Sequence, residues 1–146
     1  MTLNIATIVS NIAALDISGV KIKDMDEISA AFSDRDCPVL FPEPAGFVTD
    51  FNVVQDSFGP YAKKTATYIL HYTFLFMPVG AGRELERYGA MVETAFSVLD
   101  AIIANENLSG AVEMDATDAL EFGPVPDPAG SLYLGCRFAF LITEFV

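Results

Sequence analysis

The spacing of hydrophobic residues changes along this chain, and each spacing predicts an element. Between residues 66 and 76, Tyr68, Leu70, Tyr72, Phe74 and Phe76 alternate with Thr67, Ile69, His71, Thr73 and Leu75, the two-residue repeat of a long strand with unlike faces. Residues 131–146 (SLYLGCRFAFLITEFV) repeat the pattern: Leu132, Leu134, Cys136, Phe138, Phe140 and Ile142 form one apolar face, while Gly135, Arg137, Ala139 and Thr143 lighten the other. With no polar tail behind it, this run predicts a closing strand that places Phe138, Phe140 and Ile142 in the core. A closing strand with two usable faces suits a sheet that meets another surface.

Elsewhere the period lengthens to that of a helix. Ile5, Ile8, Val9, Ile12 and Leu15 mark a first helix that Thr2 can cap. After the breaking sequence MPVGAG, Leu85, Tyr88, Val92, Ala95, Phe96, Leu99, Ile102 and Ile103 mark the main helix, with Glu84 and Glu86 suiting its positive N-terminal end. Shorter strands are expected at residues 39–41, closed by Pro42 and Pro44 and therefore at a sheet edge or an element end, and at 47–55, half-buried. Another is expected at 111–115. Residues 122–130 (FGPVPDPAG), with three prolines and two glycines, read as a rigid non-helical connection. Residues 20–36 read as mostly irregular, with a short helical turn at 26–32. The order implies one α+β domain over residues 1–146: a mainly antiparallel sheet with two principal helices packed on one face.

Composition narrows the function classes. The chain has 146 residues, enough for one real core, and is 52% hydrophobic against 19% charged. That balance fits either a well-filled core or apolar surface covered by a partner. A formal charge of −12, from 20 acids and 8 basic residues, argues against gripping nucleic-acid phosphates or an anionic membrane. Cys37 and Cys136 lack metal or redox spacing and read as reduced small hydrophobes, a disulfide being possible but unneeded. The opening sequence has no basic leader and too short an apolar run to span a bilayer, so neither export nor anchoring is expected.

No catalytic constellation stands out. His71 is the only histidine and has no acid at a spacing that would orient it, so it reads as structural. Asp24, Asp26, Glu27, Asp34 and Asp36 lack the glycine and terminal Glu of a calcium loop and read as a solvated charge run. Gly80 and Gly82 precede a helix without a phosphate-binding lysine, and the aromatic stripe lacks interleaved cations, so no cofactor, metal or base-stacking role is expected. Arg83, Arg87 and Arg137 are the unusual charges, in or beside packed elements of an acidic chain. Each can serve a salt bridge within the subunit or a contact with a neighbouring copy, and the three are the candidate interface residues.

The segments TATYILHYTFLFMPVGAGRELERYGAMVETAFSVLDAIIANENLSGAV and FGPVPDPAGSLYLGCRFAFLITEFV resemble tail terminator proteins of long-tailed bacteriophages, also called tail completion or minor tail proteins. The likeness covers roughly the last 85 residues and the helical opening, rests on texture and element order, and does not extend to residues 20–46. It implies a non-enzymatic virion protein, assembled in the host cytoplasm and sited at the head-proximal end of the tail. There a homo-hexameric ring caps the tail tube protein, stops tube growth and meets the head connector or another neck protein. An acidic lumen would let DNA pass without specific binding. Another neck or head-completion protein, or a small ligand-binding domain or enzyme, are the alternative readings.

Overall fold

The computed structural model describes residues 3–28, 32–55, 59, 63–80, 82, 84–104, 112–116 and 120–145, the side chains of 112–116 excepted. In chain order the elements are α1 (Ile5–Ala13), β1 (Lys21–Ile22), β2 (Val39–Pro42), β3 (Val48–Gln55), β4 (Lys64–Pro78), α2 (Glu84–Ala104), β5 (Val112–Ala116), β6 (Gly123–Pro126) and β7 (Leu132–Phe145). Short 3-10 turns at Met25–Glu27 and Asp34–Asp36 interrupt the segment between β1 and β2. The expected turn at 26–32 is thus shorter: Ile28 is already extended, and 29–31 lie outside the described residues.

The two long strands predicted from the sequence form the centre of a seven-stranded mixed sheet. β4 and β7 pair antiparallel from Thr65↔Phe145 to Pro78↔Tyr133. The outer edge of β4 takes β3 at one end and β2 at the other; the outer edge of β7 takes β5 and β6. β1 adds to β2 in parallel, and every other pairing is antiparallel, giving the expected α+β class.

One face of this ribbon carries the main core. Tyr68, Leu70, Tyr72 and Phe74 of β4 and Cys136, Phe138, Phe140 and Ile142 of β7 pack there against Ile8 and Ile12 of α1 and Met91, Ala95, Val98 and Ile102 of α2. Both helices therefore lie on one face, and the closing strand fills the core as its alternation predicts. The rings interlock, Phe138 stacking on Phe140 with centroids 5.9 Å apart and Tyr72 meeting Phe140 edge-on at 6.2 Å. A smaller core covers the opposite face near β2 and β6, where Phe32 stacks on Phe41 at 4.9 Å beside Val39, Leu75, Val125 and Tyr133.

Two carboxylates buried among apolar groups fasten the pieces. Glu144, 1% exposed, accepts from the Asn4 backbone N–H (2.9 Å), the Asn4 side-chain amide (2.8 Å) and the Tyr68 hydroxyl (2.5 Å). It thereby holds the start of α1 onto the last strand, with negative charge at the helix's positive end. Burial and the bond to Glu144 push the Tyr68 phenol pKa up. Asn4, not Thr2, is the N-cap position; Thr2 lies outside the described residues. Asp127 accepts from the backbone N–H groups of Ala129 (3.0 Å) and Ser131 (2.9 Å), shaping the β6–β7 turn, and from Phe32 N–H (3.1 Å). The Tyr133 hydroxyl donates to Phe32 C=O at 2.5 Å, so both backbone groups of Phe32 are held by the hairpin beneath it.

β2 stops pairing at Pro42, the element end that is one of its two expected placements; it is not at the sheet edge, because β1 lies outside it. Three other expectations need correction. Residues 122–130 are more than a connection, since Gly123–Pro126 pairs with β7. Successive N–H groups point to opposite edges of a strand, so Pro124 and Pro126, two apart, cost donors on one edge only. β3 is mostly exposed, not half-buried; its register shifts between Thr49 and Asn52, where Asp50 adopts φ 54°. Finally, the apolar positions of α2 do not share one buried face. Met91, Ala95, Val98 and Ile102 are buried, while Leu85, Tyr88 and Phe96 are exposed, because apolar residues cover more of the helix than the sheet can meet. Cys37 and Cys136 are free, as read from the sequence, and burial pushes each thiol up to about 12.

A bulge in β4 between Leu75 and Met77 faces Gly135 of β7. A Cβ on Gly135 would stand 1.9 Å from the Phe74 carbonyl oxygen and 2.9 Å from its carbon, both backbone atoms that move only with the ladder. Gly135→Ala should therefore cost about 2–4 kcal/mol in urea unfolding, more than an ordinary strand substitution. Tyr68 and Tyr72 give a paired expectation. Tyr68→Phe should cost about 1–3 kcal/mol, because it leaves the Glu144 carboxylate short of a donor. Among the described residues the buried Tyr72 hydroxyl has no hydrogen-bond partner, so Tyr72→Phe should be neutral or stabilising by about 1 kcal/mol in the same assay.

Candidate functional site

His71 and Thr73 of β4 lie across from Ala139 and Arg137 of β7, on the sheet face away from the helices. At His71 the outer edge of β4 passes from β3 to β2. Its N–H donates to Phe47 C=O and its C=O accepts from Glu43 N–H, both at 2.9 Å, so residues 43–47 loop around this position. Side chains repeat the fastening. Thr49 Oγ1 lies 2.6 Å from His71 Nε2, the Thr73 hydroxyl donates to Glu43, and Arg137 Nε approaches the same Glu43 oxygen at 3.8 Å. Beside this row, Glu121 to Val125 wall a groove of about 680 Å³ whose floor includes His71 and Arg137.

Chemically, this row is built for attachment. The histidine ring spends Nε2 on Thr49 of β3 and the Glu43 carboxylate is shared by Thr73 and Arg137, so these groups already fasten β3 and the 43–47 loop to the central strands. Among the described residues, no three His, Cys, Asp or Glu side chains are grouped to hold a metal ion, and no helix is long and apolar enough to cross a membrane. Arg137 keeps most of its fork in solvent, with 60% of its side chain exposed. An ion pair this long leaves donors that a second carboxylate can use.

The structure does not gather the three candidate arginines. Arg137 lies on the open sheet face, and Arg83 is outside the described residues. Arg87 lies on α2, its guanidinium 5.0 Å from the centroid of Phe76. Phe76 belongs to the main core, so Arg87 and Arg137 act on opposite faces of the sheet.

Sequence reasoning missed the most exposed apolar surface. On α2, Leu85 is 92% exposed, Phe96 50% and Tyr88 45%. Tyr88 meets Phe122 edge-on at 6.4 Å, which places this flank toward the outer side of β7. A second patch sits beyond β4, where β3 exposes Phe51, Val53 and Val54 by 43–54%. The signal was present in the spacing: nine large apolar residues on a 21-residue helix exceed a single face.

Each arginine's role within the subunit is open to measurement. Arg87→Gln removes a cation–π contact and Arg137→Gln an exposed ion pair, so each should change unfolding free energy by less than about 1 kcal/mol in chemical denaturation. A larger loss would place the arginine in the subunit's own stability.

No family model matches the chain, and no curated protein matches it significantly.

Proposed function

We propose that this chain is a virion structural protein of a long-tailed phage, which caps the finished tail tube as a ring and joins the tail to the head connector. The observation that carries this reading is the exposed apolar flank of α2, with Leu85 92% in solvent on an otherwise well-cored subunit. Apolar area of this kind gains free energy when a partner covers it. A subunit repeated around a ring supplies that partner in every copy. The resemblance of residues 65–112 and 122–146 to tail terminators supplies the class of assembly and the expected hexamer.

Charge supports the same reading. A formal −12 per copy would make a lumen that repels DNA phosphates, as passage requires. The groove beside Arg137 favours one alternative, a small domain binding an anionic ligand, and the experiment separates the two. Purified protein added to growing tail tubes should stop elongation and appear as a ring on one tube end by electron microscopy. It should show no binding to duplex DNA at moderate salt. A subunit that leaves tube length unchanged and never decorates tube ends sinks the proposal.

A further inference from the structure

The two exposed apolar patches lie on opposite lateral sides of the subunit. At this end of the sheet the order is β3, β4, β7, β5, so β3 is outermost on the β4 side. The α2 flank faces the other way, through Tyr88 against Phe122. Surfaces on opposite sides cannot cover each other within one copy, but they can between copies.

Their charges are complementary. Glu86, Glu93 and Asp100 recur at seven-residue intervals on the exposed surface of α2, which puts them in one line next to the side that carries Leu85 and Phe96. The β3 patch ends instead in cations: Gln55 pairs with Lys64, and Lys63 and Lys64 are both exposed. These adjacent lysines are two of only eight basic residues in the chain. Like charges directly apposed would oppose contact between copies that each carry −12, so a contact that sets lysines against the acidic line is favoured over others.

Dimensions agree as well. From Phe51 to Gln55 a strand advances roughly 13 Å. From Glu86 to Glu93 a helix advances roughly 10 Å. An aromatic–aliphatic pair with lysines at one end can therefore lie along two turns of α2, its lysines meeting the acidic line at one end.

We propose that copies of this chain associate head to tail, the β3 edge of one (Phe51, Val53, Lys63, Lys64) seating on the α2 flank of the next (Leu85, Phe96, Glu86, Glu93). This deepens the ring reading and rests on self-association, not on the identity of the tube or connector. The contact is heterologous, so it closes into a ring or runs on as a filament, and it cannot stop at a symmetric dimer. A helix flank of this length offers on the order of 300 Å² from its dimensions. A stable pair needs about 800 Å² per partner, so single contacts are weak and gain from closure or a template.

Charge reversal tests the pairing in full-length protein. In Lys63→Glu/Lys64→Glu both patches become acidic; in Glu86→Lys/Glu93→Lys both become basic. All four positions are exposed, and thermal unfolding of each variant confirms that it is folded. By sedimentation at low salt, the parent should associate below about 1 mM, and each variant alone should associate at least tenfold more weakly. An equimolar mixture should recover to within about threefold of the parent, because every contact between unlike variants is again acid against base. A parent that stays monomeric to 1 mM, a lysine variant that associates like the parent, or a mixture that fails to recover overturns the pairing. If tubes are still capped in that case, only the interface assignment falls; if the pairing holds but tubes are never capped, only the virion reading does.

Discussion

The antiparallel register of β4 with β7, from Thr65↔Phe145 to Pro78↔Tyr133, is the constraint on which the subunit's other contacts depend. Each outer edge of this ribbon is used twice, β3 then β2 on one side and β5 then β6 on the other. A one-residue slip would exchange faces along β7, turning Phe138, Phe140 and Ile142 away from the helices and Arg137 toward them. The bulge at Leu75–Met77 opposite Gly135 fixes the register, since only a residue without a Cβ tolerates the Phe74 carbonyl at that distance. The same bulge lets Phe76 and Met77 both join the main core. Phe76 in turn supports Arg87.

Buried carboxylates then convert a two-strand ribbon into a closed subunit. Glu144 connects the last strand to the first helix across 140 residues of sequence, and Asp127 connects the β6–β7 turn to Phe32 across 95. Both are paired with neutral donors, and each accepts three hydrogen bonds. An isolated buried carboxylate would be costly, so these contacts are needed for burial to be tolerated at all. They also explain why an acidic chain can bury acids without a cationic partner beside each.

Long periods made β4, β7 and α2 readable from the sequence, along with the single helix-bearing face. Short or composite elements were not: β1 has two residues and no period, and β6 hides its pairing behind two prolines that happen to share an edge. Gly135 could be read as a light residue on one face, but its necessity depends on a bulge in a strand 60 positions away. Glu144 and Asp127 were indistinguishable in the sequence from the other acids, because burial and donors come only from tertiary contacts. On α2 the limitation was different. The apolar residues were visible, but which of them meet the sheet depends on the angle at which the helix lies across β7 and β5.

The β3 edge shows how a sheet can offer side chains for assembly while discouraging uncontrolled strand addition. A flat, apolar edge strand would template strand-to-strand aggregation. Here the register shift after Thr49, with Asp50 at φ 54°, bends the strand, and exposed Lys63 and Lys64 charge its end. Phe51 lies over the Tyr68 ring at 5.6 Å, so its ring is oriented by the core while nearly half of it remains in solvent. That combination favours a partner that meets side chains over one that needs a straight backbone edge. A helix flank is such a partner, since its own backbone donors and acceptors are already satisfied and only its side chains are left to bind.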